Sequence, residues 1–313
     1  MCRMLTVYQS LDEIKTVPRG FALGVFDGVH LGHLSLIRAL RDSCSERNLR
    51  PCVFTFSYGD GYDFNDRRLD HNFLMTQAQK LDVFQREGVS EVFLIPLTHD
   101  FCDLSPFEFL DSVIAGKLGG RVLAIGEDGH FGRGGKGGAD FLEDYAANHS
   151  LEPLVVPEVL LNGEKISSTR IREALKKGEV EDATRMMSRP FRLTGEVISG
   201  NRLGRRIGFP TANILYPAAS ALVRRGVYAT YVIAGESRYK AITNVGTAPT
   251  VRRDSRELLA ESYVFDFDGD LYGQIIEVEF LSFIRDERRF KSLDELKTQV
   301  DEDLASVLAQ HSV

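Results

Sequence analysis

The chain has 313 residues, 43% hydrophobic and 27% charged, with a formal net charge of −7 and an isoelectric point near 5.6. That is enough to bury a substantial core in two domains, and the acidic balance argues against broad nonspecific binding of nucleic acid while leaving room for a local basic pocket. No basic stretch leads into an apolar signal core and no run approaches membrane-spanning length, so a cytoplasmic protein without a membrane partner is expected.

Up to residue 187, short apolar runs alternate with helical patterns. Strands are predicted at 21–25, 51–56, 91–95, 121–125 and 153–156, and helices near 33–46, 76–87, 105–118, 139–148 and 168–177, the rhythm of a parallel α/β sheet. Between the first strand and the first helix, whose Leu36, Ile37, Leu40 and Cys44 recur at helical spacing, residues 24–33 read Gly-Val-Phe-Asp-Gly-Val-His-Leu-Gly-His. Small residues and free amides at a helix start form a cradle for phosphate, so Gly24, Phe26, Asp27 and Gly28 are candidates to line one. His30 and His33 at its mouth can donate to phosphoryl oxygens as charge accumulates. A His-x-x-His pair is also compatible with chance, surface decoration or a metal pair; zinc is disfavoured because no local Cys pair or HExxH helix completes a ligand set.

Farther along, Ser105 can cap the third helix, Pro106 suits its first turn, Glu108 can complete a capping box, and Gly119 follows its end. Gly132 to Gly138, rich in Gly, Arg and Lys, reads equally as a mobile lid or a solvent loop. Ser167-Ser168-Thr169-Arg170-Ile171-Arg172 opens a helix ending near Gly178; it is a plain helix cap, or a triphosphate site with Arg172 as a forked charge. The cysteines Cys2, Cys44, Cys52 and Cys102 lack CxxC spacing and are expected as reduced packing residues.

Around Pro190 the pattern changes. Alternating segments at 191–198, 226–233, 240–245, 262–267 and 274–280, separated by Gly, Pro, Asn and Asp, predict an antiparallel barrel or sandwich, and a last helix near 293–308 follows Ser292. With a junction at Met186 to Pro190, the expected domains are 1–187 and 188–313. Between Gly200 and Asn213 the glycines can close a loop over phosphates, with Thr211 and Asn213 as oxygen donors for hydrated magnesium; a glycine-rich β-turn is the other explanation.

From near Gly20 through the last helix the chain resembles the bacterial bifunctional riboflavin kinase/FAD synthetase family. The resemblance rests on Phe26 through His33, Gly126 through Gly132, Ser167 through Arg172, Gly204 through Asn213, Asn244 through Thr247, Glu261, and Asp266 through Gly273. It implies a Rossmann-like nucleotidyltransferase domain followed by a six-stranded antiparallel β-barrel kinase with a C-terminal helix. It also implies riboflavin, FMN, FAD and ATP as ligands, with Mg²⁺ and ATP as co-substrate. Glu261 matches the family's general base for attack of the ribityl hydroxyl on the γ-phosphate of ATP. Thr211 and Asn213 match its Mg²⁺ residues, and Gly200, Gly204, Arg205, Gly208 and Asn244 its phosphate-binding positions. In the other half, FMN attacks the α-phosphate of a second ATP. His30 and His33 would stabilise that transition state, and Ser167, Ser168, Thr169 and Arg172 would hold the β- and γ-phosphates. Asp128, where the family has Asn or Asp near the flavin or adenine, and Arg285 are the flavin-binding candidates; a structural role for Asp128 is the alternative.

Departures fall mostly in the first half. Phe56-Ser57-Tyr58-Gly59-Asp60 stands where Phe-Asp-Pro-His-Pro is usual, Gly129 where an aromatic is usual, Ser188 where a glycine precedes Arg-Pro, and Tyr263 where relatives often have His. Lost prolines loosen a loop and a lost aromatic removes a stacking surface, so a kinase with a degenerate adenylyltransferase domain is the alternative reading. A non-catalytic flavin-binding protein is a third, opposed by the joint presence of Glu261, Thr211, Asn213, His30 and His33. Nothing in the sequence specifies an oligomeric contact.

Overall fold

A computed structural model describes residues 5–12, 14–57, 73–198, 211–247, 258–288 and 290–310. The chain divides into two compact units, Met1–Arg67 with Gln77–Ser167, and Arg68–Thr76 with Ser168–Val313.

The first unit is built on β1 (Thr6–Tyr8), β2 (Arg19–Leu23), β3 (Arg50–Ser57), β4 (Glu91–Pro96), β5 (Gly120–Gly126) and β6 (Glu152–Val156), a parallel sheet ordered β1-β4-β3-β2-β5-β6. Every residue of β2 is buried, as expected for a strand covered on both faces. Helix α1 (Leu31–Glu46) lays Leu34, Leu36, Ile37, Leu40 and Cys44 inward. A Cβ on Gly20 would sit 2.4 Å from the Cys44 sulfur, so glycine is what lets helix and strand approach this closely. Helix α2 (Gln77–Arg86) precedes β4, and a short α3 (His99–Cys102) follows it.

The third predicted helix starts as foreseen: α4 (Pro106–Glu108) has Ser105 and Glu108 in a reciprocal capping box. It then continues as a π-helix over Phe109–Lys117 rather than as a plain α-helix. The wider winding brings the Asp111 carbonyl to within 2.8 Å of where a Cβ on Gly116 would stand, so glycine there makes room for it. Helix α5 (Ala139–Ala146) and a small hairpin, β7 (Leu160–Leu161) with β8 (Glu164–Lys165), complete the unit. Residues 132–138 hold a 3₁₀ turn at Arg133–Gly135 and an isolated bridge from Phe131 to Gly137. Neither β1 nor the hairpin shows in the sequence pattern, both being only two or three residues long.

Chain order and strand order set where ligands can enter. From β2 the chain steps to β3 and β4 on one side, then returns to place β5 and β6 on the other. The reversal between β2 and β5 opens a crevice beyond their carboxyl ends, and the turns after those strands, residues 24–30 and 126–130, form its rim.

The second unit begins with α6 (Ser168–Lys177) and α7 (Val180–Met187), earlier than the junction at Met186 to Pro190 marked by the change of pattern. Ile171, Ala174 and Leu175 of α6 and Val180, Ala183, Met186 and Met187 of α7 are buried, and α7 packs on the barrel that follows. That barrel closes in the order β10-β13-β12-β11-β14-β9, formed by β9 (Phe191–Ile198), β10 (Thr211–Leu215), β11 (Gly226–Ala234), β12 (Ser237–Thr247), β13 (Leu258–Val264) and β14 (Ile275–Arg285). Its interior holds Phe191, Phe280, Tyr228, Val278 and Leu193, together with a line of buried hydroxyls in which Thr243 lies 2.8 Å from both Thr230 and Ser262. Residues 211–215 complete the closure, although the pattern marks them only as the end of a glycine-rich loop.

Helix α8 (Leu293–Gln310) starts where Ser292 accepts the Glu295 amide at 3.1 Å. It covers the outer face of the barrel, where Leu304 packs with Val227, Ala229 and Ile242.

Candidate active sites

In the first unit the glycine-punctuated turn is tightly wound. Phe26, Gly28 and Val29 take positive φ values of 55°, 74° and 32°, unusual for phenylalanine and more so for a β-branched valine. A Cβ on Gly24 would crowd the Phe26 ring at 3.3 Å, and one on Gly32 would crowd the His30 ring at 3.2 Å. The glycines therefore leave the space that the two rings fill. His30 caps α1: its Nδ1 accepts from the His33 amide at 3.4 Å, which assigns the hydrogen of the neutral ring to Nε2. The two imidazoles stack with centroids 3.7 Å apart, at a helix start that carries no acidic residue in its first turn. Asp27 and His30 are 8% and 7% exposed, and Phe26 is fully buried. The carbonyl of Val25 accepts from the Thr55 hydroxyl at 3.1 Å and from the Lys80 ammonium at 3.2 Å. Burial lowers the Lys80 pKa, against the opposing charge of Asp27.

On the other side of the crevice Asp128 is held below the usual carboxylate range by its hydrogen bond from Lys165, 2.5 Å away, and Lys165 also reaches Glu158. The flavin-binding candidate is thus engaged in an exposed ion-pair cluster tied to the β7–β8 hairpin. A Cβ on Gly129 would meet the Gly126 carbonyl at 2.9 Å and Ile125 at 3.2 Å, so an aromatic residue there would require the turn to move. Ser167 closes the first unit, and Ser168, Thr169 and Arg172 lie in the first turns of α6, which likewise has no acidic residue near its start. Phe56 and Ser57 end β3; Tyr58, Gly59 and Asp60 lie outside the described residues.

In the barrel, register brings the kinase candidates together. Asn213 pairs with Glu261, and Glu261 pairs with Asn244, so β10, β13 and β12 carry these side chains in one row. Two residues along, Thr211 pairs with Tyr263. Because side chains alternate across a strand, Thr211, Asn213, Glu261, Tyr263 and Asn244 share one face, the outer one, which also bears Ile242. Asn213 is 3% exposed, and burial raises the pKa of Glu261 with no hydrogen bond or ion pair to counter it among the described residues. Burial pushes Tyr263 up as well, reinforced by the charge of Glu261. Gly200, Gly204, Arg205 and Gly208 lie outside the described residues.

Arg285 lines the same outer pocket as Asn244 and Tyr263, but its guanidinium is engaged with Asp303 of α8 at 2.8 to 3.1 Å. Asp303 also accepts from Gln299 at 2.9 Å, so Arg285 ties the C-terminal helix to the rim of the barrel. The sequence pattern overlooks Lys80 and Thr55; the available signal is a lysine four residues before Phe84 on the buried face of α2.

The sequence model of the FAD synthetase family matches residues 15–170, and that of the riboflavin kinase family matches residues 187–311. A bifunctional riboflavin kinase/FMN adenylyltransferase from Pseudomonas fluorescens is 33% identical over 97% of this chain and 97% of its own. The protein of the same name from Haemophilus influenzae is 33% identical over 97% of this chain and 99% of its own. A crystal structure described as a macrolide-efflux protein from Streptococcus pneumoniae is similar with a TM-score of 0.85 at 30% identity, covering 97% of this chain and 98% of that one. Among the described residues no helix is long and apolar enough to cross a membrane. With both family matches in the order of the two units and relatives aligned almost end to end, the chain belongs to the bifunctional riboflavin kinase/FMN adenylyltransferase family.

Proposed function

We propose that residues 188–313 phosphorylate riboflavin to FMN with ATP and that residues 1–187 adenylylate FMN to FAD with a second ATP, releasing pyrophosphate. The observation that carries the kinase assignment is the row Asn213, Glu261 and Asn244, with one carboxylate whose raised pKa suits a proton acceptor. Glu261 takes the proton of the ribityl hydroxyl as its oxygen bonds to the γ-phosphorus and ADP leaves. Asn244 faces the ATP phosphates, with Gly200, Gly204, Arg205 and Gly208 assigned to the same task. Arg285 acts on the flavin side through its place in the outer pocket.

Thr211 and Asn213 suit a magnesium ion: both offer neutral oxygen donors on one strand face, leaving positions for phosphate oxygens and water. Among the described residues no cluster of three His, Cys, Asp or Glu offers a competing all-protein site. Mg²⁺ held there supplies charge neutralisation to the ATP phosphates.

For adenylyl transfer, an FMN phosphate oxygen attacks the α-phosphorus and the bond to pyrophosphate breaks. His30 and His33 donate to the developing charge, with Gly24, Phe26, Asp27 and Gly28 shaping the cradle. Ser167, Ser168, Thr169 and Arg172 hold the β- and γ-phosphates, and Asp128 borders the flavin or adenine. A cytoplasmic enzyme without nucleic-acid or membrane partners completes the proposal, resting on the acidic balance of the chain.

The test is chromatographic separation of riboflavin, FMN and FAD over time, with MgATP and either riboflavin or FMN as the starting flavin. FAD from both is the expected result. FMN from riboflavin with no FAD from either would leave the kinase alone, and neither product would overturn the proposal.

A further inference from the structure

Helix α2 carries none of the motif residues, yet two of its side chains act on the turn that does. Lys80 and Phe84, four apart, face the same way and are the two buried residues of the helix. Lys80, 7% exposed, donates to the carbonyl of Val25, and Thr55 on β3, fully buried, donates to the same oxygen. The next residue, Phe26, takes φ 55° and packs its ring edge-on against Phe84 at 5.5 Å and against His33 at 5.1 Å, while His33 stacks on His30.

A lysine ammonium is costly to bury, and one hydrogen bond to a neutral carbonyl, with the charge of Asp27 nearby, is a small return unless the position is needed. The carbonyl it fixes lies one residue before the chain enters its left-handed run, so its orientation sets how Phe26 and then the histidines are presented.

We propose that Lys80 and Thr55 are positioning residues for adenylyl transfer, clamping the Val25 carbonyl so that Phe26 holds the His30–His33 pair in register with the phosphate. Neither is a catalytic residue: they act through the backbone of the turn. The inference rests on the reading of this turn as the adenylyl-transfer site, and the experiment separates the two.

Lys80→Met and Thr55→Val are compared with the unaltered protein for FAD formation from FMN and, in the same preparation, for FMN formation from riboflavin, which serves as an internal control. A drop of at least tenfold in kcat for FAD formation is expected in Lys80→Met, with KM for FMN within about twofold and the kinase rate unchanged. Thr55→Val, nearly isosteric, is expected to fall in the same direction, and Lys80→Arg, which keeps a charged donor, to recover part of the loss. Unaltered kcat for FAD formation in Lys80→Met overturns the proposal. If Lys80→Met proves unstable, Thr55→Val decides: wild-type kcat there overturns it. The imidazole NMR signals of His30 and His33 give a readout independent of turnover. They are expected to shift in both variants, even if the unaltered protein makes no FAD; that last result would sink the reading of the turn and leave the clamp standing. Unshifted imidazole signals would overturn the clamp itself.

Discussion

Glu261→Gln separates what the carboxylate does for chemistry from what it costs the fold. Glutamine keeps the length of the side chain but cannot accept the substrate proton. Loss of a positioned general base slows the reaction by about 10²–10⁴, or ~3–5 kcal/mol of transition-state stabilisation, so FMN formation should fall by that factor while FAD formation from supplied FMN persists. Stability should move the other way. Burial raises the Glu261 pKa above its ordinary value of 4.5, and burial is the one cause of the shift. A group with a raised folded pKa contributes fully below its unfolded pKa, and that contribution is lost as the pH climbs through the folded value. Above that window the unaltered protein holds an uncompensated, half-buried carboxylate, whereas the amide stays neutral. Ionising a carboxylate at this site costs the parent what the neutral amide is spared, about 1.4 kcal/mol for each pH unit by which burial raises the folded pKa, so Glu261→Gln is expected to be more stable than the parent at pH 8, with the gain vanishing near pH 4. Thermal or urea unfolding at the two pH values, beside the chromatographic kinase assay, reads both effects. Equal stability at pH 8 would refute the argument from burial, and FMN formation within tenfold of the parent would remove Glu261 from the role of base.

Two further outcomes are expected. Ser188 ends α7 at φ 58° and ψ 17°, the left-handed conformation that favours glycine, so Ser188→Gly should raise stability by about 1 kcal/mol in urea unfolding with both activities unchanged; a loss of stability would contradict this. Asp303→Ala leaves Arg285, 20% exposed at its side chain, without its carboxylate partner and with the Asp286 carbonyl as acceptor, and should cost about 3 kcal/mol while releasing α8 from the barrel. Faster amide exchange in α8, with the barrel interior still protected, is the signature, and unchanged protection of α8 would show that Leu304 and its apolar neighbours hold the helix unaided.

The same physics explains which features are legible in the sequence. Strand β9 shows because buried residues alternate with less buried ones, and the predicted segment 191–198 coincides with it, whereas β11, β12 and β14 each carry three or more consecutive buried residues and show as largely apolar runs between turns. Segment β10 alternates too, with Ala212 and Ile214 inward, but its outward positions are Thr211 and Asn213, whose polar side chains and glycine-rich approach disguise a strand as a loop. The disguise and the function have one origin. A site on the outer face of a barrel needs polar groups where a covered face would otherwise be apolar, and only cross-strand register reveals that Asn213, Glu261 and Asn244 form a row. The π-helical stretch has no compositional mark beyond Gly116, because a change of hydrogen-bond partner leaves the apolar spacing almost unaltered.

His30 and His33 are legible for the opposite reason. Gly24 and Gly32 leave the space that the Phe26 and His30 rings fill and Gly28 takes a left-handed backbone, so the site is marked by its glycines rather than by its polarity. Lys80 has no such marker. It occupies the buried face of an otherwise ordinary amphipathic helix, where a lysine stem passes for an apolar residue and its charged end is invisible until Val25 is seen to receive it. The residues proposed to touch phosphate are found through the local backbone they require; those proposed to hold that backbone in place are found through the one position at which helical periodicity is broken. The second kind of signal is weaker in sequence because a single polar residue in a buried stripe is common, and it becomes specific only when the acceptor is a carbonyl beside a left-handed turn, as it is here.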